Sequence, residues 1–105
     1  MAKRGETELL VVAVPYACYV SERSLAAHRR MGFEVSEAML TSNAPDAAIE
    51  RAARSADVEC VKISAGFRAA AAQNELYFEF DGHFNERGHE LFAESLLAAI
   101  EPRLR

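Results

Sequence analysis

The residues best suited to chemistry lie in one stretch near the carboxyl end of the chain, residues 80–89. Asp81 and His83 are separated there by Gly82 alone, which lets the backbone turn sharply at no steric cost. Such a turn allows the carboxylate to accept a hydrogen bond from one ring nitrogen of His83 and leaves the other nitrogen free to take a proton. The spacing therefore predicts His83 as a general base, with Asp81 as its orienting acid.

The same residues also suit a purely structural role. Asp and Gly are common in turns, Asn85 is a favoured helix N-cap, and a histidine beside them can be a surface residue or a hydrogen-bonded neighbour. A base of this kind also needs a hydroxyl to deprotonate, which in the Ser-His-Asp arrangement comes from a distant part of the chain. The stretch itself does not supply that hydroxyl.

An amphipathic helix is predicted directly after this stretch. Asn85 is its expected N-cap, Glu86 adds a favourable charge to the first turn, and the helix is expected to run to about residue 101. Gly88 lies on the apolar face and costs about 1 kcal/mol of helix propensity relative to Ala. We therefore expect it to allow a close backbone approach that fixes the loop carrying His83. The residues of that face are Gly88, Leu91, Phe92, Ser95, Leu96, Ala99 and Ile100.

Earlier parts of the chain predict strands alternating with helices. Residues 9–14 are an apolar, β-branched run closed by Pro15, which is typical of a strand buried on both faces. Residues 58–63 are also rich in β-formers and predict a second strand. The alternation indicates an α/β fold. Helices are predicted at residues 22–31, 47–56 and 67–72, an irregular connection with some helix at 33–43, and an extended aromatic segment at 76–80.

Five further residues invite a functional interpretation but also have simpler structural ones. Tyr16 and Tyr19 follow the first predicted strand, at the end where α/β folds often bind ligands, although aromatic residues there also serve as core or rim packing. His28 lies in a polar stretch near the end of its helix and is expected to be solvated. Cys18 and Cys60 lie in or beside apolar runs without zinc-ligand spacing, which predicts buried free thiols.

Composition bounds the function classes further. The 105 residues are 50% hydrophobic and 27% charged, which is typical of a single folded domain. The formal net charge of −4, with both signs interspersed, argues against a nucleic-acid or anionic-membrane surface. Residues 1–6 lead into no signal-peptide h-region, and residues 9–14 are too short to span a membrane. We therefore expect a soluble, cytoplasmic protein.

Taken in this order, the elements resemble the carboxyl-terminal half of an SGNH hydrolase, the GDSL-type esterase and lipase superfamily, over residues 9–97. The resemblance implies a three-layer α/β/α fold of the flavodoxin-like type with a mainly parallel sheet, and a Ser-His-Asp triad with His83 as base and Asp81 as acid. It also implies a small-molecule ester substrate, with no cofactor and no metal. The residues that carry it are Leu76-Tyr77-Phe78, Asp81-Gly82-His83, Asn85, Gly88-His89 and Ala93.

The chain departs from the family pattern in two ways. The commonest family spacing leaves two residues between acid and base, and the single residue here resembles acetyl-transferring relatives. The Gly-Asp-Ser block that carries the nucleophile, and the Gly and Asn blocks of the oxyanion hole, are absent. The chain is therefore expected to be a partial domain. The serines that lack the family setting are Ser21, Ser24, Ser36, Ser42, Ser55, Ser64 and Ser95.

Three hypotheses remain open. The chain is the Asp-His part of an ester hydrolase or acyl transferase whose serine comes from a missing N-terminal segment or another chain. Alternatively it is a non-catalytic α/β remnant that binds a small ligand or a partner. As a third possibility, it is an interaction module that completes its sheet by forming a homodimer, because a half-sandwich leaves sheet edges and apolar surface open.

Overall fold

The computed structural model describes residues 8–104. Within them, short strands alternate with helices, which confirms the predicted α/β character. The expectations for residues 1–6 concern a part of the chain outside the described residues. The elements are β1 (Leu10–Ala13), α1 (Glu22–Arg30), α2 (Ala44–Ser55), β2 (Glu59–Lys62), α3 (Ser64–Ala71) and α4 (Glu86–Ile100), with 3-10 turns at Ala17–Tyr19, Glu37–Leu40 and Glu101–Leu104.

Strands β1 and β2 pair in parallel, with Leu10 opposite Glu59 and Ala13 opposite Lys62. A parallel pair needs a long crossover, which α1 and α2 supply. These two strands make up the whole sheet within the described residues. The prediction of a strand buried on both faces over residues 9–14 is wrong in extent. Leu9, at 56% exposure, and Val14, at 49%, lie beyond the ends of the four-residue strand, and Leu10, Val11 and Val12 within it are only partly buried.

The core lies between the sheet and the carboxyl-terminal third of the chain. Phe67 of α3 is fully buried, and Leu76 and Tyr77 from the following segment are almost so. Full burial of an apolar side chain of this size contributes about 1.5–3 kcal/mol. Partly buried residues of β1, β2, the loop before α4 and α4 itself pack around this cluster: Val12, Val61, Phe84, Leu91 and Phe92.

Local signals set most helix ends. Ser21 caps α1, because its hydroxyl accepts a hydrogen bond from the Ser24 amide at 3.1 Å. Gly32 follows α1 with a φ of +96°, a conformation that favours glycine. Helix α3 begins at Ser64, earlier than predicted, directly after β2 and Ile63. No helix within residues 8–104 combines the length and apolar character needed to cross a bilayer.

The two cysteines are both free. Cys18 is fully buried, as predicted. Cys60, on β2, is only half-buried. Burial raises the pKa of both thiols, and for Cys60 the nearby Glu50 carboxylate adds to the effect. Both are therefore poor thiolates at neutral pH.

Candidate active site

Residues 76–85 fold back on themselves and present the Asp81-Gly82-His83 turn at their tip. Tyr77 and Phe84 form an antiparallel bridge across the base of this loop. Next to it, the Phe78 amide donates to the His83 carbonyl at 3.0 Å, and the Asn85 amide donates to the Leu76 carbonyl at 2.9 Å. The two arms of the loop are thus hydrogen-bonded to each other at its base, which restrains the position of its tip.

The turn at the tip is tight and depends on glycine. Gly82 has a φ of +62°, and the His83 amide donates back to the Asp81 carbonyl across it. This three-residue turn brings the Asp81 and His83 side chains to the same side of the loop. His83 Nδ1 donates to Asp81 Oδ1, which confirms the predicted contact. When Nδ1 carries the single proton of the ring, His83 Nε2 has a free lone pair that can accept a proton.

The pair lies in solvent-accessible surroundings. The His83 side chain is 85% exposed and that of Asp81 is 58% exposed. The hydrogen bond from the His83 side chain, reinforced by the charge of that ring when protonated, lowers the pKa of Asp81. Asp81 is therefore ionised at neutral pH and can orient the ring, as a base requires.

The loop is anchored to the start of α4. Asn85 Oδ1 accepts from the Gly88 amide at 2.8 Å and so caps the helix, as predicted. Asn85 Nδ2 donates to the Glu75 carbonyl at 2.7 Å, which ties the helix cap to the entrance of the loop. A Cβ atom on Gly88 would overlap the Leu76 carbonyl oxygen. The expected close backbone approach at Gly88 is therefore confirmed.

Tyr16 and His28 form the wall behind the turn. The sequence left a ligand-binding and a packing interpretation open for Tyr16 and did not place His28 at the site. His28 was expected to be solvated, and this is wrong: it is 4% exposed, because its place on α1 faces the loop rather than solvent. Its Nε2 atom lies 3.0 Å from the Tyr16 hydroxyl, and its Nδ1 lies 2.8 Å from the Ser24 carbonyl oxygen. One sequence signal could have indicated this burial: His28 lies three positions after the apolar Leu25 and so shares its helix face.

Tyr16 and His28 lie close to the turn and limit the space beside Gly82. A Cβ added to Gly82 would lie 3.6 Å from Tyr16 Cε1 and 3.7 Å from His28 Nε2, which is ordinary van der Waals contact. The loop also meets the carboxyl end of β1, where the buried Tyr77 hydroxyl donates to the Pro15 carbonyl at 3.1 Å. The site therefore lies at the carboxyl end of a parallel strand, the usual place for ligand sites in open α/β sheets.

A groove of about 650 Å³ opens beside the turn. Asp81 and His83 lie on it, together with the half-exposed Tyr16 and Phe80. None of the described residues that line the groove is a serine, so the groove offers no serine hydroxyl for His83 to deprotonate. Within residues 8–104, no cluster of His, Cys, Asp and Glu is arranged to hold a metal ion.

No protein-family model, curated protein or solved structure matches this chain. These comparisons therefore do not test the resemblance to the SGNH superfamily, which remains a prediction.

Proposed function

We propose that this chain carries the acid-base part of an SGNH-type ester hydrolase or acyl transferase. His83 takes the proton from an attacking hydroxyl through Nε2, and Asp81 holds the ring by accepting from Nδ1. The observation that carries the proposal is this contact, made at an accessible turn with Nε2 free. The substrate is a small-molecule ester, and the serine and the oxyanion donors come from a segment or chain beyond this sequence.

Ion pairs of β2 support the three-layer arrangement that this proposal includes. Lys62 pairs with Glu50 of α2 at 3.0 Å, whereas Glu59 pairs with Arg103, just after α4. Residues 59 and 62 are an odd number of positions apart, so their side chains point to opposite faces of the sheet. We infer that α2 and α4 cover opposite faces of β1 and β2, as in an α/β/α sandwich reduced to two strands.

One observation favours a second candidate, a non-catalytic α/β module. The groove beside His83 has no serine in its lining, and the parts of an acyl-transfer site act as a unit. Among residues 8–104 the outer edges of the two-stranded sheet have no paired strand, and in this candidate they pair with a strand from a ligand protein or from a second copy. Sedimentation that gives a monodisperse monomer over a wide concentration range would remove the homodimer version.

Hydrolysis of p-nitrophenyl acetate by the full chain tests His83 without the serine, because water that a general base deprotonates can attack this activated ester directly. His83→Ala is the test variant and His89→Ala is the matched control, because His89 has no acid partner like Asp81 and its ring packs edge-on against Phe84. If His83 is the base, His83→Ala abolishes the rate above buffer and His89→Ala preserves it. A rate that both variants preserve would rule out His83 as the base. No rate above buffer for the unaltered chain would favour the non-catalytic module.

A further inference from the structure

The hydrogen bonds of His28 fix the direction in which the Tyr16 hydroxyl points its proton. The Ser24 carbonyl can only accept, so Nδ1 of the neutral His28 ring carries the proton shared across 2.8 Å. Nε2 is then an acceptor, and the Tyr16 hydroxyl donates to it across 3.0 Å. The Tyr16 oxygen is then left to accept a hydrogen bond from a bound molecule.

The Tyr16 hydroxyl stays protonated around neutral pH. Burial raises its pKa, and the nearby Cys18 thiol adds a smaller effect of the same sign. The hydroxyl therefore keeps its proton at neutral pH. His28 itself is held by Tyr16, by Ser24 and by the Phe33 ring, whose centroid lies 5.5 Å away. The acceptor is thus preorganised rather than free to rotate.

The rest of the groove is largely apolar. Of the exposed large hydrophobic side chains in residues 8–104, several are gathered here, including Met31 at 41%, Phe33 at 58% and Phe80 at 53% exposure. The volume, about 650 Å³, falls within the range of roughly 300–1,000 Å³ that is usual for small-molecule sites. Besides the Asp81–His83 pair, the groove thus combines an apolar lining with the oriented Tyr16 acceptor. A concavity of this size fits a small molecule better than a protein surface, which needs a contact of about 800 Å² per partner.

We propose that this groove binds a small alcohol, with its apolar ring or chain against Phe33 and Phe80 and a hydroxyl that donates to the Tyr16 oxygen. This proposal rests on the proposed function and names the substrate class of that site. In acyl transfer the bound molecule is the alcohol component of the ester, and it carries two hydroxyls. One hydroxyl donates to the Tyr16 oxygen, and the other is the one that His83 deprotonates. Tyr16 thereby sets specificity for alcohols that carry a second donor.

Two matched probes test the acceptor. Benzyl alcohol and benzyl methyl ether share the same ring, but only the alcohol can donate a hydrogen bond. Each is titrated into the ¹⁵N-labelled full chain, with the Gly82 amide resonance as the reporter. We expect benzyl alcohol to bind about 2–10-fold tighter, the usual net contribution of one hydrogen bond. Equal binding of the two probes to the unaltered chain would overturn the proposal.

Four variants locate the binding. Tyr16→Phe keeps the ring but removes the acceptor, so the two probes should bind equally, whereas Tyr19→Phe, outside the groove, should keep the preference. Phe80→Ala should weaken both probes, and Phe78→Ala is its control because Phe78 is equally exposed, at 53%, but does not line the groove. Equal weakening by Phe78→Ala and Phe80→Ala would show that the probes bind elsewhere.

This experiment is independent of ester turnover. A chain without hydrolytic activity that still prefers benzyl alcohol would retain the binding site and lose only the proposed chemistry. If Tyr16→Phe fails to fold, the comparison of Phe80→Ala with Phe78→Ala on the unaltered Tyr16 background still decides whether this groove is occupied.

Discussion

Asp81 and His83 are side chains that solvent reaches, so the turn between them, and not burial, holds them together. Exposed ion pairs typically contribute little to stability because water and salt screen them. The value of this pair is therefore positional: an ionised carboxylate fixes which ring nitrogen carries the proton. The contact follows from the φ of +62° at Gly82 and from the anchoring of the loop on either side.

The pKa of Asp81 offers a direct measure of this contact. In the native chain we expect it below its ordinary value of about 3.9, because the His83 side chain donates to the carboxylate. His83→Ala should raise it toward that value. The stability that the contact adds is present above the ordinary pKa and is lost as pH falls through the lowered one. Titration of the Asp81 carboxyl carbon by NMR checks this; the same pKa in both proteins would contradict it.

Gly88 should be intolerant of a side chain although it lies within a helix. Gly88→Ala gains about 1 kcal/mol of helix propensity, but its Cβ would overlap the Leu76 carbonyl oxygen and lie 3.0 Å from Phe84 Cβ. We expect a net loss of about 1–3 kcal/mol in the free energy of unfolding. Gly66→Ala in α3 is the matched control, since nothing lies within 4 Å of its added Cβ. It should stabilise the chain by up to about 1 kcal/mol in the same urea titration.

At the scale of elements, the start of α4 and the loop before it act as one unit through Asn85. Asn85→Ala removes both the cap to the Gly88 amide and the bond to the Glu75 carbonyl. We expect it to cost about 1–2 kcal/mol of unfolding free energy. Asn43→Ala at the start of α2 is the control, because Asn43 makes no side-chain cap bond there and should cost much less. Equal losses in thermal unfolding would show that the cap contributes nothing specific.

The sequence predicted this unit because its determinants are local. The Asn85 cap on Gly88 and the pairing of Asp81 with His83 join residues two or three positions apart. The contact of Gly88 with Leu76 is longer in range, but a glycine on the apolar face of a helix is a local signal of a close approach. The burial of His28 could not be predicted in the same way, since it depends on Tyr16, in another segment, and on the packing of α1 against the loop. The length of the first strand likewise depends on its pairing with residues 59–62, in a distant part of the chain.

Over the whole molecule, the candidate site and the sheet share one core. Tyr77 and Phe84 of the loop pack in the same cluster as Val12 of β1 and Val61 of β2. The Phe84 ring lies 5.3 Å from Phe67 and 5.4 Å from Tyr77, measured between centroids. A site built on the core in this way should lose its geometry only when the whole domain unfolds.

Removal of α4 tests that dependence. A chain that ends at residue 85 loses Leu91 and Phe92 from the cluster and the Gly88 contact with Leu76, a loss of several kcal/mol from a total of about 5–15. We expect it to show no cooperative thermal transition by near-ultraviolet circular dichroism. A chain that ends at residue 100 is the control: it loses the ion pair of Arg103 with Glu59 but keeps α4, and should still unfold in one step. A cooperative transition in the shorter chain would show that the sheet folds without α4 and that the site does not share its core.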